Sequence, residues 1–472
     1  MDALKYTKII ATLGPASASV EAIRGLIVAG ADCFRLNFSH GDGPKLQPLI
    51  DNARAAARAE QRHITILADV QGPKLRIGRL PSQGVLLHEG EPFAITRASD
   101  MGDESRVHSP YEWLAKDLEP GARVLFADGA IELTVERIEG ADVRCRVISG
   151  GRLYSNKGLN LPGRRLTVET LTETDRRDLA FIADADIDIV ASSFVRAPAD
   201  LDEARALVGK RRVPVMAKLE RPEALERLDA ILDASDGVMV ARGDLGVEMP
   251  FEQVPVLQKR ILGSAARRGK WAVVATQMLG SMATSPRPTR AEASDVVNAV
   301  LDGADAVMLS EETAVGDHPR RAVEAMAALT CAGERHAPGR TDDTLDAELI
   351  SFSQGAAGAA VAAAERIRAR ALVTLAGSGK TALALSKQRP ELPIVALGSW
   401  EPTLNRLNVL RGVVPVAIDN RKELEEQLVA ADRHLIEAGW AQAGDTIIVA
   451  AAMPLGERKE TNTIRFHKVR AQ

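Results

Sequence analysis

Short apolar runs alternate with helix-like segments eight times along the first two thirds of this 472-residue chain. Each run has the length of a buried strand, and many of the segments between them end near a glycine, as helices do. Because right-handed crossovers bury both faces of parallel strands, eight consecutive units predict a closed (β/α)8 TIM barrel. The predicted strands lie at residues 8–13, 33–38, 64–69, 187–194, 213–218, 237–241, 271–275 and 305–309.

The third repeat is interrupted by a stretch of different character. Between residues 76 and 161, short alternating strands are separated by turn sequences that predict hairpins, namely Asp128-Gly129, Gly140-Ala141-Asp142 and Gly150-Gly151. An insertion at this point leaves and re-enters the barrel where its strands end. We therefore predict a small β-barrel lid domain at residues 71–166, hinged over a barrel at residues 1–70 and 167–340.

The composition changes again after residue 340. An alanine-rich helical segment at residues 351–369 leads into four apolar runs with helical patterns between them. This alternation predicts a separate doubly wound α/β domain at residues 341–472. Its predicted strands lie at residues 371–375, 393–397, 413–417 and 446–451.

Composition argues against several classes of protein. A net charge of −4 argues against a nucleic-acid binder, and no apolar run reaches the length of a membrane span or a signal peptide. Three scattered cysteines, Cys33, Cys145 and Cys331, have no Cys-x-x-Cys spacing, which is typical of a reduced compartment and argues against a zinc site. We therefore expect a cytoplasmic protein that acts on small molecules.

Two segments at predicted strand ends carry the most chemistry. Lys218 and Glu220 end the fifth run, and Asp244 follows the sixth. Side chains alternate along a strand, so Lys218 and Glu220 share one face, and Asp244 arrives beside them from the next strand. Two carboxylates suit a hard divalent cation such as Mg²⁺, which leaves the lysine to face a transferring anion. A lone Lys-x-Glu is more often a solvated surface pair, but its position after apolar strands favours a site.

Other predicted strand ends bring polar groups to the same opening. Cations around a carboxylate pair are what phosphoryl transfer requires, because that reaction depends on positioning and on electrostatic stabilisation. The sequence offers no Ser-His-Asp or Cys-His set, and His40 suits a structural role as well as a substrate contact. The polar groups are Arg35, Asn37 and Ser39 on one face of strand two, Asp69, Lys74 and Arg76 after strand three, Ser193 and Arg196 after strand four, Thr276 and Gln277 after strand seven, and Ser310 and Glu312 after strand eight.

Eight segments, in chain order, form a specific pattern that covers the predicted barrel and the edges of the lid. They are KYTKIIATLGP at residues 5–15, FRLNFSHG at 34–41, DVQGPKLRIG at 69–78, NLPG at 160–163, AKLE at 217–220, ARGDLGVE at 241–248, ATQML at 275–279, and the run at 287–314 that ends in SEETA. This pattern resembles the pyruvate kinase family. The resemblance implies a glycolytic enzyme that transfers a phosphoryl group from phosphoenolpyruvate to ADP, giving pyruvate and ATP.

The resemblance also implies roles for residues that face the substrate. Arg35 would bind the phosphate of phosphoenolpyruvate, and Lys218 would stabilise the migrating phosphoryl group. The backbone amides of Gly243 and Asp244, with the hydroxyl of Thr276, would hold the substrate carboxylate. Thr276 would also lie where a proton relay can serve the enolate, although the identity of the proton donor stays open.

A metal site and a nucleotide site are implied in the same way. Glu220 and Asp244 would hold Mg²⁺ or Mn²⁺, and a second metal would arrive on ADP. Lid closure would bring Lys157 down and exclude water, which prevents loss of the phosphoryl group to solvent. The resemblance further implies a homotetramer. The positions that match nucleotide contacts are Asn37, His40, Arg76 and Lys157.

The chain departs from the family pattern near the mouth. Many members have glutamate at the position of Lys74 and threonine at that of Val70, and they hold a potassium ion with residues that match Asn37, Ser39, Asp69 and Val70. A fixed ammonium at Lys74 supplies positive charge and repels a second cation, which predicts potassium-independent turnover. The alternative is a solvated loop lysine. A second departure is Glu311, where the family often has glycine or alanine, and the sequence does not indicate its effect.

Residues 375–381 resemble a phosphate loop that enters a helix, where free amides favour an anion. The loop is not a Walker A motif, because Thr374 occupies the position of the first glycine. Since the family binds an allosteric phosphate here, the candidate effector ligands are Ser378, Lys380 and Thr381. Residues 461–463 depart from the loop that grips fructose bisphosphate in other members, which favours a sugar monophosphate or AMP. The alternative is an ordinary strand-to-helix turn.

Two competing interpretations stay open. A metal-dependent lyase or aldolase also needs carboxylates to hold magnesium against a pyruvate enolate, but it has no nucleotide for a lid with Arg76 and Lys157 to clamp. A catalytically inactive metabolite sensor needs the C-terminal domain alone, whereas intact Lys218, Glu220 and Asp244 indicate activity. Measurement of pyruvate formation from phosphoenolpyruvate with and without ADP distinguishes these two interpretations from a pyruvate kinase.

Overall fold

The computed structural model describes residues 5–209, 213–337, 351–419, 423–454 and 460–471. Among them, eight parallel strands close into a barrel in chain order, and this confirms the predicted (β/α)8 fold. Most of their residues are buried, because one face points into the barrel and the other packs against helices. The strands are Lys8–Thr12, Cys33–Asn37, Thr65–Asp69, Ile189–Ser192, Val215–Leu219, Gly237–Ala241, Trp271–Ala275 and Ala306–Leu309.

Helices follow the barrel strands and cover their outer faces. Two of them begin with a capping box, in which Thr172 and Thr289 bond to the third residue of their helices. The helix predicted at residues 222–234 is divided, because Arg227 leaves the helical conformation at φ −115° and ψ 22°. The helices are Val20–Ala29, Gly43–Ala59, Glu173–Asp184, Pro198–Val208, Pro222–Glu226, Leu228–Ala234, Arg242–Glu248, Val254–Arg267, Arg290–Leu301, Glu311–Ala314 and Pro319–Glu334.

A mostly antiparallel β domain is inserted after the third barrel strand, with Pro92–Thr96 and Arg106–His108 as its one parallel pair among the described residues. The turns at residues 128–129 and 140–141 form hairpins as predicted, with Gly129 and Gly140 at positive φ. The hairpin predicted at residues 150–151 is wrong, because Gly151–Leu153 pairs with Val85–Leu87 and not with the strand before it. The remaining elements are strands Pro92–Thr96, Arg106–His108, Arg123–Phe126, Ile131–Glu139, Asp142–Ser149 and Leu159–Asn160, and helix Leu114–Asp117.

A five-stranded sheet forms the C-terminal α/β domain. Its four parallel strands match the predicted runs, and a fifth, antiparallel strand at Thr463–Lys468 was not predicted. The boundary expected near residue 340 lies outside the described residues. The parallel strands are Leu372–Leu375, Ile394–Gly398, Val413–Ala417 and Thr446–Ala451, and the helices are Phe352–Arg366, Lys380–Lys387, Glu401–Leu407 and Leu424–Glu437.

The C-terminal domain packs against the end of the barrel where the strands begin. Lys8 at the start of the first strand donates to the carbonyl oxygen of Val413 at 2.8 Å. Lys387 of the C-terminal domain pairs with Asp305, just before the last barrel strand, at 2.8 Å. This contact leaves the opposite rim, where the barrel strands end, facing the inserted domain. Within the described residues, no helix is long and apolar enough to cross a membrane.

Candidate active site

A buried lysine lies at the centre of the rim where the barrel strands end. Lys218 is on the fifth strand, and its Nζ lies 2.9 Å from Oε1 of Glu220 and 3.0 Å from Oδ1 of Asp69. It also donates to the hydroxyl of Ser193 at 2.6 Å. The predicted proximity of Lys218 and Glu220 is therefore present, and two further strands contribute to the same cluster.

The carboxylates fix the charge of this lysine. Burial alone lowers the pKa of Lys218, but the carboxylates of Asp69 and Glu220 outweigh burial and hold the pKa above its usual value. The ammonium therefore remains protonated at neutral pH. Such a group can stabilise an anion but does not act as a base.

Asp69 joins the lysine to an arginine, a link that the sequence did not reveal. Both Nε and Nη2 of Arg35 lie 2.7 Å from Oδ2 of Asp69, while Lys218 contacts the other oxygen. Burial raises the pKa of Asp69, but Lys218 and Arg35 bring it below the usual value. Asp69 was expected to match a ligand of a monovalent cation. In the structure it is the shared counter-ion of the two cations proposed to face the substrate.

Glu220 and Asp244 are suited to a divalent cation. Burial raises the pKa of Glu220, Lys218 opposes the rise, and the nearby carboxylates of Asp244 and Asp69 add to it. Among the residues that the structure describes, no group of three or more acidic, His or Cys side chains is arranged to hold a metal. Mg²⁺ often takes one or two carboxylates and completes its shell with substrate oxygens and water, so this donor set fits.

Gly243 and Thr276 lie against each other at the same rim. The Gly243 amide donates to the Thr276 hydroxyl at 2.6 Å, and that hydroxyl donates to the carbonyl oxygen of Ala275 at 2.6 Å. Gly243 and Asp244 occupy the first turn of helix Arg242–Glu248, which directly follows the sixth barrel strand. The groups expected to hold a carboxylate are thus brought together, although the Gly243 amide is bonded to the hydroxyl.

The second barrel strand carries two of its three predicted polar residues, Arg35 and Asn37, and the third, Ser39, lies beyond its end. Arg35 and Asn37 alternate with buried Phe34 and Leu36, as expected. The strand ends at Asn37, however, and Phe38–His40 forms a short 3-10 helix, so the alternation does not extend to Ser39. The Ser39 amide instead donates to Oδ1 of Asn37 at 3.1 Å. His40 is exposed at the end of this turn.

Comparison with known proteins gives the family. Models of the pyruvate kinase barrel domain and of the pyruvate kinase alpha/beta domain match residues 4–323 and 354–467. Pyruvate kinase of Mycobacterium tuberculosis (strain ATCC 25618 / H37Rv) is 42% identical over 468 residues, covering 98% of each chain. Pyruvate kinase of Corynebacterium glutamicum is 43% identical over 470 residues, covering 98% of this chain and 97% of the relative. The chain belongs to the pyruvate kinase family.

Membership in the pyruvate kinase family confirms the enzyme class expected from the sequence. The chain is a phosphotransferase whose substrates and products are phosphoenolpyruvate, ADP, ATP and pyruvate, and the family implies a divalent metal requirement. The relationship extends to pyruvate kinase of Staphylococcus aureus (strain MRSA252), which is 38% identical over 472 residues, covering 99% of this chain and 81% of the relative. The barrel and the C-terminal α/β domain are both part of the family architecture.

Lys74, the departure from the family pattern, lies between the barrel and the inserted domain. Its Nζ is 3.7 Å from Oδ1 of Asp244 and 3.9 Å from Oδ1 of Asp128 in a lid hairpin. The side chain is 29% exposed, so it is not the freely solvated loop lysine of the alternative interpretation. Val70 is fully buried.

Two of the four candidates for nucleotide contacts, Arg76 and Lys157, lie close together where the inserted domain joins the barrel. Arg76 forms an isolated β-bridge with Gly158 and donates through Nη1 to the carbonyl oxygen of Asn156 at 3.1 Å. Lys157, between these two residues, is exposed. Arg76 and Lys157 are therefore brought together, on the strand segments that connect the lid to the barrel.

The candidate effector loop joins a strand to a helix in the C-terminal domain. Gly379 adopts φ +83° directly before helix Lys380–Lys387, and Ser378 and Lys380 are exposed. The hydroxyls of Thr381 and Thr461 lie 2.7 Å apart, so the two segments singled out in the sequence are adjacent. The amide of Thr461 in turn donates to the hydroxyl of Ser353 at 3.1 Å.

Proposed function

We propose that this chain catalyses Mg²⁺-dependent phosphoryl transfer from phosphoenolpyruvate to ADP at the barrel rim around Lys218. The observation that carries the proposal is the protonated Lys218, fixed between Asp69 and Glu220 on neighbouring strands. A fixed cation needs little reorganisation when charge spreads over the migrating phosphoryl group, so it stabilises the transition state more than the substrate. Arg35, held by Asp69, would bind the phosphate from the second strand.

Glu220 and Asp244 would hold Mg²⁺ or Mn²⁺. A divalent ion relieves the repulsion between these carboxylates and, when bound, neutralises charge on the phosphoryl oxygens. The amides of Gly243 and Asp244 and the Thr276 hydroxyl would bind the substrate carboxylate. The hydrogen bond from Gly243 to Thr276 would then be exchanged for bonds to that carboxylate.

The inserted domain would bind ADP, with its own metal, against the rim and close over it. Arg76 and Lys157 lie where it joins the barrel, and Asn37 and His40 lie at the end of the second barrel strand and in the turn that follows. Closure would exclude water and so prevent hydrolysis of the phosphoryl group. The proposed lid comprises residues 71–166, and the proposed barrel domain comprises residues 1–70 and 167–340.

Measurement of pyruvate from phosphoenolpyruvate in the presence and absence of ADP tests the activity. Pyruvate formation that requires both ADP and Mg²⁺, with equal production of ATP, is expected. Release of pyruvate without ADP would instead support the lyase interpretation. A chain that binds phosphorylated ligands but forms no pyruvate under either condition would be a sensor.

Potassium-independent turnover is proposed from the position of Lys74. Its ammonium next to Asp244 supplies positive charge at the mouth and repels a second cation. Initial rates in Tris buffer free of alkali cations should change less than about twofold on addition of KCl, whereas Lys74→Glu should be activated about tenfold or more. Lys74→Gln, which removes the charge without adding a carboxylate, is the matched control. Strong potassium activation of the unmodified enzyme would reject this proposal.

A phosphorylated effector is proposed for the C-terminal loop, with Ser378, Lys380 and Thr381 as ligands. Free amides at the start of helix Lys380–Lys387 and the exposed Lys380 side chain support an anion there. A hexose monophosphate or AMP should lower the phosphoenolpyruvate concentration needed for half-maximal rate, and Lys380→Ala should abolish that shift. Saturation curves unchanged by either ligand would remove the proposal. A cytoplasmic homotetramer is proposed on family resemblance.

A further inference from the structure

The loop after the seventh barrel strand is held in an unusual backbone conformation. Thr276 and Gln277 have φ values of +69° and +53°, in the left-handed region that non-glycine residues seldom adopt. A β-branched residue such as threonine is especially disfavoured there. Consecutive residues of this kind persist when their surroundings fix them, and they concentrate at functional sites.

An arginine from the neighbouring strand end fixes this loop. Nη2 of Arg242 donates to the carbonyl oxygens of Thr276 at 2.8 Å and Gln277 at 3.2 Å. Its Nη1 pairs with Oδ1 of Asp295 at 2.7 Å, and the arginine side chain is only 10% exposed. The planar guanidinium suits this task, because it presents several donors in a rigid arrangement that lysine lacks.

The same arginine also fixes the partner of Thr276. Arg242 directly precedes Gly243 in helix Arg242–Glu248, and the Gly243 amide donates to the Thr276 hydroxyl at 2.6 Å. The main chain of Arg242 thus places the amide, and its side chain places the loop that carries the hydroxyl. One residue therefore sets the relative position of the two groups proposed to hold the substrate carboxylate.

We propose that Arg242, anchored by Asp295, is a positioning residue that holds Thr276 in its productive conformation. This inference rests on the proposed function, because it requires the Thr276 hydroxyl to act on the substrate. Arg242 contacts backbone carbonyls, a carboxylate and the side chains of Gln258 and Met278, and none of these groups is proposed to touch the substrate. Its effect on turnover therefore passes through Thr276. Loss of the clamp lets the loop relax toward ordinary backbone conformations and moves the hydroxyl away from Gly243.

A double-mutant cycle separates this role from a general structural one. Arg242→Lys is expected to lower kcat about 10- to 100-fold, because small displacements of a reacting group have effects of that size. Thr276→Ala should lower kcat at least as much. In the Arg242→Lys/Thr276→Ala double variant, kcat should equal that of Thr276→Ala alone, since the clamp then has no hydroxyl to position. Asp295→Asn, a milder change, should lower kcat about 3- to 10-fold and show the same non-additivity.

Arg54→Lys is the matched control. Arg54 is a similarly buried arginine that binds the carbonyl oxygen of Ile64 at 2.9 Å and the carboxylates of Asp186 and Asp188 near the start of the third and fourth barrel strands. The kcat of the Arg54→Lys variant should stay within about twofold of that of the unmodified enzyme. Multiplicative losses in the double variant would overturn the inference while leaving the proposed reaction intact. An unmodified enzyme that forms no pyruvate from phosphoenolpyruvate and ADP would instead overturn the proposed function.

Discussion

The two ends of the barrel both bury pairs between lysine and a carboxylate, and they hold them differently. At the mouth, Lys218 is shared between Asp69 and Glu220, and its pKa is raised. At the base, burial lowers the pKa of Lys387, its partner Asp305 opposes this, and Arg389 adds to the lowering. A buried charged side chain with several oppositely charged partners can exchange one of them for a ligand and still keep a partner. The charged groups at the mouth can therefore exchange a protein partner for a ligand, whereas those at the base attach the C-terminal domain.

Among the described residues, Lys387 at the base pairs with one carboxylate, whereas Lys218 at the mouth pairs with two. One oxygen of Asp305 accepts from Lys387 and from the Ala272 amide, each at 2.8 Å. Its other oxygen is buried without a hydrogen-bond partner among the described residues and lies 3.8 Å from Nη1 of Arg389. Removal of the lysine would leave the buried carboxylate with the Ala272 amide and the longer contact to Arg389. We therefore expect substitutions at the mouth to change the rate and those at the base to change stability.

The largest effect is expected for Lys218→Met. Loss of the fixed ammonium removes stabilisation of the migrating phosphoryl charge, so kcat should fall about 1,000-fold or more. Michaelis constants and kcat from a coupled pyruvate assay test this. Circular dichroism should show that the variant remains folded, because Asp69 retains Arg35 as a partner and Glu220 retains the Phe194 amide at 2.8 Å. A folded variant with kcat within about tenfold of the unmodified enzyme would break the distinction between the two ends.

Lys387→Met is the corresponding change at the base. It leaves the Asp305 carboxylate buried without its ammonium, and breaking a buried pair in this way costs about 3–5 kcal/mol in the free energy of unfolding. Urea unfolding should detect the loss, while kcat stays within about twofold at a temperature where the variant is folded. A loss of kcat comparable to that of Lys218→Met, with unchanged stability, would show that the base takes part in catalysis.

The sequence predicts the mouth better than the base for a physical reason. Strand periodicity places Lys218 and Glu220 on one face, and the order of the barrel brings Asp244 beside them. Asp69 and Lys218 lie on strands three and five and meet over the end of the fourth strand, where both bond to Ser193. Their contact therefore depends on strand register and side-chain length as well as on the alternation of side chains. Lys387 was not singled out, because its role arises from docking of two domains, which no local pattern encodes.

Asp178 is a buried carboxylate that forms no ion pair with a lysine or arginine of the described residues, and it extends the comparison. Burial and the neighbouring Asp175 raise the pKa of Asp178 to about 6, while the Gly43 amide and the charge of Arg177 oppose the rise. One of its oxygens is buried without a hydrogen-bond partner among the described residues. Because its pKa in the folded state lies above the unfolded value, folding favours the protonated form. Its contribution to stability is therefore fully present below about pH 4 and is lost as the pH rises through about 6.

Asp178→Asn should remove this dependence and have the smallest effect of the three substitutions. Neutral asparagine avoids the buried charge, so the variant should be more stable than the unmodified chain by about 1–2 kcal/mol at pH 7.5 and about equal to it at pH 4. Urea unfolding at both pH values measures the difference. Asp202→Asn, at a side chain 70% exposed on the next helix, should change stability by less than about 0.5 kcal/mol at either pH. A buried carboxylate that forms no ion pair destabilises the fold only when it ionises. If Asp178→Asn differs from the unmodified chain by the same amount at pH 4 and pH 7.5, Asp178 therefore titrates at its ordinary pKa.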